Sequence, residues 1–190
     1  MNVLVVNNGS TYLDKLIEII PHSMVSLVRY DQLDPQMAYD YDVVVLSGGH
    51  DYSVMGHEAE YSKELQFIRQ VKKPLLGICL GFELIAYAFG HKLEKKEIKK
   101  SGVVDIEVIV ADDIFNDVNP IKVYDSHRWV LKEVSGKIVS LAQSKHGIEV
   151  IKHTEKMIYG FQFHPEMFIE ETNGIKVFKN FFRMSHRVAV

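Results

Sequence analysis

A single cysteine, Cys79, stands in the run Gly77-Ile78-Cys79-Leu80-Gly81. Before it lies the apolar stretch Pro74-Leu75-Leu76, and after it the amphipathic stretch Phe82-Glu83-Leu84-Ile85-Ala86. Strand, glycine-flanked nucleophile and helix, in that order, make a nucleophile elbow: the chain turns sharply and the glycines let its backbones approach. A thiol where a helix begins meets free N–H groups and the helix dipole, both of which favour thiolate. The same N–H groups can hold an oxyanion on a substrate. The competing reading of a lone cysteine is a small buried hydrophobe. Two glycines and the strand-to-helix switch favour the nucleophile.

A cysteine nucleophile needs a base to take and return its proton, and the base needs an acid to orient it. The segment Tyr159-Gly160-Phe161-Gln162-Phe163-His164-Pro165-Glu166 offers both. Read as a strand, it turns Phe161 and Phe163 to the core and Gln162 and His164 the other way. Pro165 cannot donate a ladder bond and ends the strand. Glu166 can then reach back to the imidazole of His164. Upstream, Ser47-Gly48-Gly49 follows an apolar run, where bare N–H groups can face a ligand. His50, His57 and Asp51 match no zinc spacing, so no metal site is expected.

These groups need a scaffold. Residues 3–7, 24–30, 41–47 and 74–78 read as strands, the first as a strand buried on both faces and the third also as buried. Residues 13–20 and 58–71 read as helices, the first capped by Ser10 or Thr11. Alternating strands and helices argue an α/β fold with an open, mostly parallel, flavodoxin-like sheet and helices on both faces. Ligands bind such sheets at the carboxyl ends of the strands, where Gly49 and Cys79 fall. The second half changes character. Short β-rich runs at 103–110, 121–125, 137–142, 148–152 and 157–163 add antiparallel strands, and a helix over 175–182 closes the chain. Lys95, Lys96, Lys99 and Lys100 read as a solvated hairpin edge.

The chain has 190 residues, 47% of them hydrophobic, enough for one globular domain over 1–190. Twenty-two basic residues nearly balance twenty-five acidic ones, leaving −3 and no footprint for nucleic acid or an anionic membrane. One cysteine forms no internal disulfide, which suits a reducing cytoplasm. The N-terminus lacks the pattern of a secretory leader, and no apolar run approaches the roughly 18 residues of a membrane span.

The motifs together resemble the class I glutamine amidotransferases: Gly77-Ile78-Cys79-Leu80-Gly81, Phe163-His164-Pro165-Glu166 and the Ser47-Gly48-Gly49 turn. Within that class, Asp125-Ser126-His127-Arg128-Trp129-Val130 is similar to a segment of GMP synthases, as are Gly90-His91-Lys92-Leu93 and Asp112-Asp113-Ile114-Phe115. The version made as a separate short subunit is the nearest likeness, since no ATP-pyrophosphatase segment follows. The resemblance implies hydrolysis of L-glutamine to glutamate and ammonia. A separate synthetase subunit would use ATP and Mg2+ to turn XMP into GMP, so no cofactor is implied here. It implies Cys79 as nucleophile, His164 as acid/base and Glu166 as its orienter. Gly49 and Leu80 N–H groups would form the oxyanion hole, and main-chain groups at Ser126, Arg128 and Trp129 would grip the substrate. Glu83 departs from the family's glutamine at a substrate-holding position. That departure leaves open a catalytically poor binding or regulatory subunit; within enzymes, the alternative is the glutaminase of another pathway such as anthranilate synthase.

Overall fold

The computed structural model describes residues 1–21 and 23–188, and leaves out the side chains of Lys100 and Val188. In chain order the elements are β1 (Asn2–Asn7), α1 (Leu13–Ile19), β2 (Met24–Arg29), β3 (Val43–Leu46), α2 (Ser62–Gln70), β4 (Leu75–Ile78) and α3 (Leu80–Ala88). Then follow β5 (Glu94–Val108), β6 (Ile121–Val130), β7 (Ile138–Ser144), β8 (Gly147–His153), β9 (Ile158–Phe161) and α4 (Gly174–Val188). The strands form one nine-stranded sheet in the order β2-β1-β3-β4-β9-β8-β7-β5-β6.

Every residue of β3 and β4 is buried. Side chains alternate across a strand, and the core divides accordingly. Val3, Val5, Val43 and Val45 share a cluster with Leu16 of α1 and Val177, Phe178 and Phe181 of α4. Leu4, Val6, Val44 and Leu46 share another with Leu65 and Ile68 of α2 and Leu84 and Ile85 of α3. Each fully buried Val, Leu, Ile or Phe contributes ~1.5–3 kcal/mol. Strands of only four residues therefore hold by packing, not by their few ladder bonds.

The sheet joins the expected parallel strands of the first half to the expected antiparallel strands of the second. The pairs β1–β2, β1–β3, β3–β4 and β4–β9 are parallel, whereas β5–β6, β5–β7, β7–β8 and β8–β9 are antiparallel. The sheet is mixed in equal measure, because the β-rich second half extends the same sheet. One strand of that half, β9, inserts as the parallel neighbour of β4.

Local differences have local causes. The second helix starts at Ser62 instead of 58, because the Glu58 carboxylate accepts from the Gly56 N–H and holds a turn there. Tyr12 takes the cap position of α1, while the Ser10 hydroxyl accepts from the Tyr12 N–H at 3.1 Å in a turn before the helix. β5 begins at Glu94, well before the expected 103, and carries the lysine-rich stretch as a paired strand with a bulge between Lys95 and Lys100. β9 stops at Phe161, so His164 lies beyond the strand.

Candidate functional site

β4 and β9 run side by side and parallel, with Ile78 paired to Phe161, so both release their next residues at the same edge of the sheet. Cys79 follows β4, and its N–H donates to the Phe161 carbonyl at 2.8 Å. Its backbone sits at φ 50, ψ −100, at the cap of α3. A non-glycine residue in that region costs ~1–3 kcal/mol and persists only where its surroundings hold it. Gly77 and Gly81 supply the hold. A Cβ on Gly77 would run into the Gly81 carbonyl, and one on Gly81 would lie 2.6 Å from the Leu46 carbonyl oxygen.

After β9 the chain keeps its alternation. Phe161 and Phe163 are fully buried and stack at 5.0 Å with 9° between their rings. His164 is tied down by its N–H donating to the Tyr124 carbonyl of β6 at 2.8 Å. Its Nδ1 lies 2.8 Å from Glu166 Oε1, with both side chains buried. An Nδ1–H donated to that carboxylate leaves Nε2 with its lone pair. Tyr12 meets the imidazole edge-on at 5.1 Å.

Cysteine and histidine face one another across Gly48. A Cβ there would lie 3.1 Å from His164 Cε1 and 3.6 Å from Cys79 Cβ, so glycine leaves this space clear. A small cavity of about 50 Å³ is bordered by both residues. A larger one, about 280 Å³, is lined by Cys79, Gly49, Leu80, Glu83, Ser126, Arg128 and Trp129. Drug-sized ligands occupy ~300–1,000 Å³, so this space suits something smaller. Thus the residues given catalytic, oxyanion or substrate roles from the sequence meet in one place: the larger cavity is lined by the oxyanion and substrate candidates, and Cys79 joins it to His164, which Glu166 holds.

Residues 4–184 match the family model described as Glutamine amidotransferase class-I. The chain belongs to that family. A glutamine-hydrolyzing GMP synthase subunit from Methanothermobacter thermautotrophicus is 30% identical over 185 residues, 95% of this chain and 96% of that one. Its counterpart of the same name from Pyrococcus furiosus is 31% identical over 184 residues, 94% of this chain and 96% of that one. A crystal structure from Thermoplasma acidophilum, provisionally described as a GMP synthase subunit, superposes with a TM-score of 0.87 at 25% identity. It covers 99% of this chain and 95% of that one.

In this amidotransferase the elbow does not by itself make a thiolate. Burial raises the Cys79 pKa well above its ordinary value, and the charges of Glu83, Glu166 and Asp125 add to the rise. Only the Leu80 N–H pulls the other way. Burial and neighbouring charge therefore outweigh the helix dipole at Cys79. Glu83 is itself pushed up to about 7 by burial, against the opposing pull of His127 and of the Gln162 amide 3.4 Å away.

Three features of the amidotransferase site were not anticipated. Lys99, expected on a solvated edge, lines both cavities; Lys100, expected beside it, has its side chain outside the described residues. Asp125, His127 and Glu149 form a buried trio whose candidate ligand atoms all lie within 4.8 Å of one another and could hold a cation. Protons also account for it. His127 Nδ1 lies 2.8 Å from the Trp129 carbonyl and Nε2 faces Asp125 at 3.6 Å. Burial opposes the imidazolium, but Asp125 and Glu149 raise its pKa, and burial beside Asp125 lifts Glu149 to about 8. The signal was in β6, where polar Asp125 and His127 alternate at inward positions. Third, the Asn8 amide donates at 3.1 Å to both the Ser47 carbonyl and Glu64, bracing the strand end that carries Gly48 and Gly49.

Proposed function

We propose that this chain is the glutaminase subunit of a two-subunit GMP synthase. It hydrolyses L-glutamine and passes ammonia to a separate synthetase subunit, which uses ATP and Mg2+ to convert XMP to GMP. Support for this reading comes from relatives named as glutamine-hydrolyzing GMP synthase subunits, about 30% identical over nearly their whole length. The observation that carries the chemistry is the convergence of Cys79 with the His164–Glu166 pair on one small cavity. We take 1–190 as one cytoplasmic domain, with α1 and α4 on one face of the sheet and α2 and α3 on the other.

The steps follow from the placement of the groups. His164 Nε2 takes the thiol proton as sulfur attacks the carboxamide carbon. The tetrahedral oxyanion lies against the Gly49 and Leu80 N–H groups, where one lost donor costs about 3 kcal/mol of barrier. His164 gives its proton to the departing nitrogen, releasing ammonia and leaving a thioester. Water, deprotonated by the same imidazole, attacks the thioester carbonyl; glutamate leaves and the thiol regains its proton. Glu166 fixes the ring and balances the imidazolium that forms twice per cycle. Ser126, Arg128 and Trp129 hold the amino-acid end of the substrate.

The buried, charge-opposed thiol fits a protein that is slow until its partner docks. The test is glutamine hydrolysis with and without the synthetase subunit, XMP and ATP. Stimulation by that partner, abolished by Cys79→Ala, is expected. GMP formation from glutamine by the assembled Cys79→Ala complex would refute the assignment, and stimulation only by another synthetase would move the chain to another pathway.

A further inference from the structure

Glu83 is a buried acid at the wall of the candidate site. It lies in the first turn of α3, four residues after the cap residue Cys79. Its N–H donates to the Cys79 carbonyl at 3.0 Å. Only 4% of it is exposed, and it lines the 280 Å³ cavity together with the sulfur. The Gln162 amide approaches it at 3.4 Å, a long contact for one oxygen of a buried acid. No cation side chain is in salt-bridge contact with it among the described residues.

A carboxylate accepts hydrogen bonds and attracts positive charge; it offers no donor. An α-amino acid entering this cavity carries one group that meets that need, its ammonium. Lys99 and Arg128, also at the cavity wall, are cations suited to the other end, the α-carboxylate. Glutamine would thus lie between opposite charges.

We propose that Glu83 receives the α-ammonium of the substrate, and that this pairing cancels a negative charge facing Cys79, so that only an occupied pocket readies the sulfur. The inference rests on the glutaminase reading above and deepens it by giving the nucleophile a substrate-dependent gate. The surroundings of both groups fit. Cys79 is faced by Glu83 from α3, by Glu166 and His164 from the segment after β9, by Asp125 from β6 and, across the cavities, by Lys99 from β5. Glu83 is faced by His127 from β6, by Gln162 after β9 and by the Tyr61 phenol before α2. His127 is already engaged by Asp125. Of the acids around the sulfur, Glu83 is the one that also lines the larger cavity. In the empty pocket its charge opposes the thiolate and protects the thiol; the incoming ammonium lifts that opposition at the moment a carboxamide is in place.

Alkylation of Cys79 by iodoacetamide, in which the thiolate displaces iodide, reads the gate without any turnover. The rate is followed against pH for the wild-type chain and Glu83→Gln, which keeps side-chain size. Each is measured alone, with L-2-aminobutyrate, and with butyrate, which lacks only the ammonium. Both acids are too short to cover the sulfur. In the empty wild-type pocket the midpoint is expected to be high. L-2-aminobutyrate should lower it by about one pH unit, a tenfold faster reaction below the midpoint, and butyrate should not. Glu83→Gln should start from the lower midpoint and respond to neither ligand. A wild-type midpoint in empty Glu83→Gln overturns the gate. A lowered midpoint in the variant with no selective effect of L-2-aminobutyrate on the wild type overturns the ammonium pairing. Loss of the functional reading looks different: the midpoints would shift as described, yet the assembled complex would release no glutamate from glutamine.

Discussion

His164 Nδ1 and Glu166 Oε1 lie 2.8 Å apart, both side chains buried, with only Pro165 between them in sequence. So short a connection makes the orientation of the ring a local property of the chain, and Pro165 stiffens it by fixing φ. The pair is also tied outward, through the His164 N–H to the Tyr124 carbonyl. Glu166→Gln keeps the shape but can turn its NH2 toward Nδ1. That forces the proton onto Nε2, the atom that must accept from sulfur. General-base catalysis is worth ~10²–10⁴-fold, and a loss in that range is expected in kcat for glutamine hydrolysis. Thermal melting should show an intact fold, and near-normal kcat would remove Glu166 from the mechanism.

The elbow should be intolerant of the smallest side chain. In Gly77→Ala the new methyl meets the Gly81 carbonyl and lies 2.7 Å from Ile85 Cδ1. Neither neighbour is free to move: one is backbone of the turn and the other is fully buried. Overpacking of this kind costs ~1–3 kcal/mol. Urea denaturation should show a lower midpoint with an unchanged slope. Gly136→Ala is a useful contrast, since nothing lies within 4 Å of a Cβ there and any cost arises from its φ of +62 alone.

Stability should fall as pH rises, in part through Glu64. Burial lifts its pKa from 4.5 to about 8, although the Asn8 amide opposes the shift. Between those values the folded chain holds a proton that the unfolded chain has released. Its contribution is therefore complete below about pH 4.5 and is lost as pH climbs through 8. Glu64→Gln removes that share while keeping a neutral partner for Asn8. Unfolding free energies measured by urea denaturation from pH 5.5 to 8.5 should fall less steeply in the variant, by an amount on the order of a few kcal/mol across the range. Parallel curves would mean that Glu64 does not hold its proton.

The parts of this protein legible from sequence are those written in short-range pattern. Runs such as Val43-Val44-Val45-Leu46 are strands because they are buried on both faces, and glycines at 77 and 81 mark a turn that tolerates nothing larger. The alternation of Phe161, Gln162, Phe163 and His164 outlasts the strand itself, which is why His164 was found although β9 ends early. What pattern cannot give is adjacency between distant segments. The sheet order places β9 beside β4 and leaves β6 three strands from β8, yet the segment after β9 donates to the carbonyls of both Glu149 and Tyr124, and Glu149 of β8 meets Asp125 and His127 of β6. Lys99 could not be lifted out of its lysine cluster for the same reason: only the pairing of β5 with β6 brings it to the cavity. The protonation of Cys79 depends first on its burial and then on three carboxylates from three parts of the chain, and no window of sequence contains them together.

Phe163 joins packing to chemistry, and truncating it should affect both. Its ring stacks on Phe161, is fully buried, and a Cβ on Gly174 at the start of α4 would lie 3.2 Å from it. Phe→Ala in a core costs ~3–5 kcal/mol, and the void would open directly beneath the His164 backbone. Phe163→Leu refills most of the space and should cost less. If the ring only stabilises the fold, both variants should keep wild-type kcat at temperatures where they are fully folded. If it also seats His164, kcat should drop in Phe163→Ala under those same conditions, with the Leu variant between. We expect the second outcome, because only one backbone bond, from the His164 N–H to the Tyr124 carbonyl, ties His164 to another strand; its carbonyl accepts only from the nearby Met167 N–H, and the packed residue before it supplies the rest of its position.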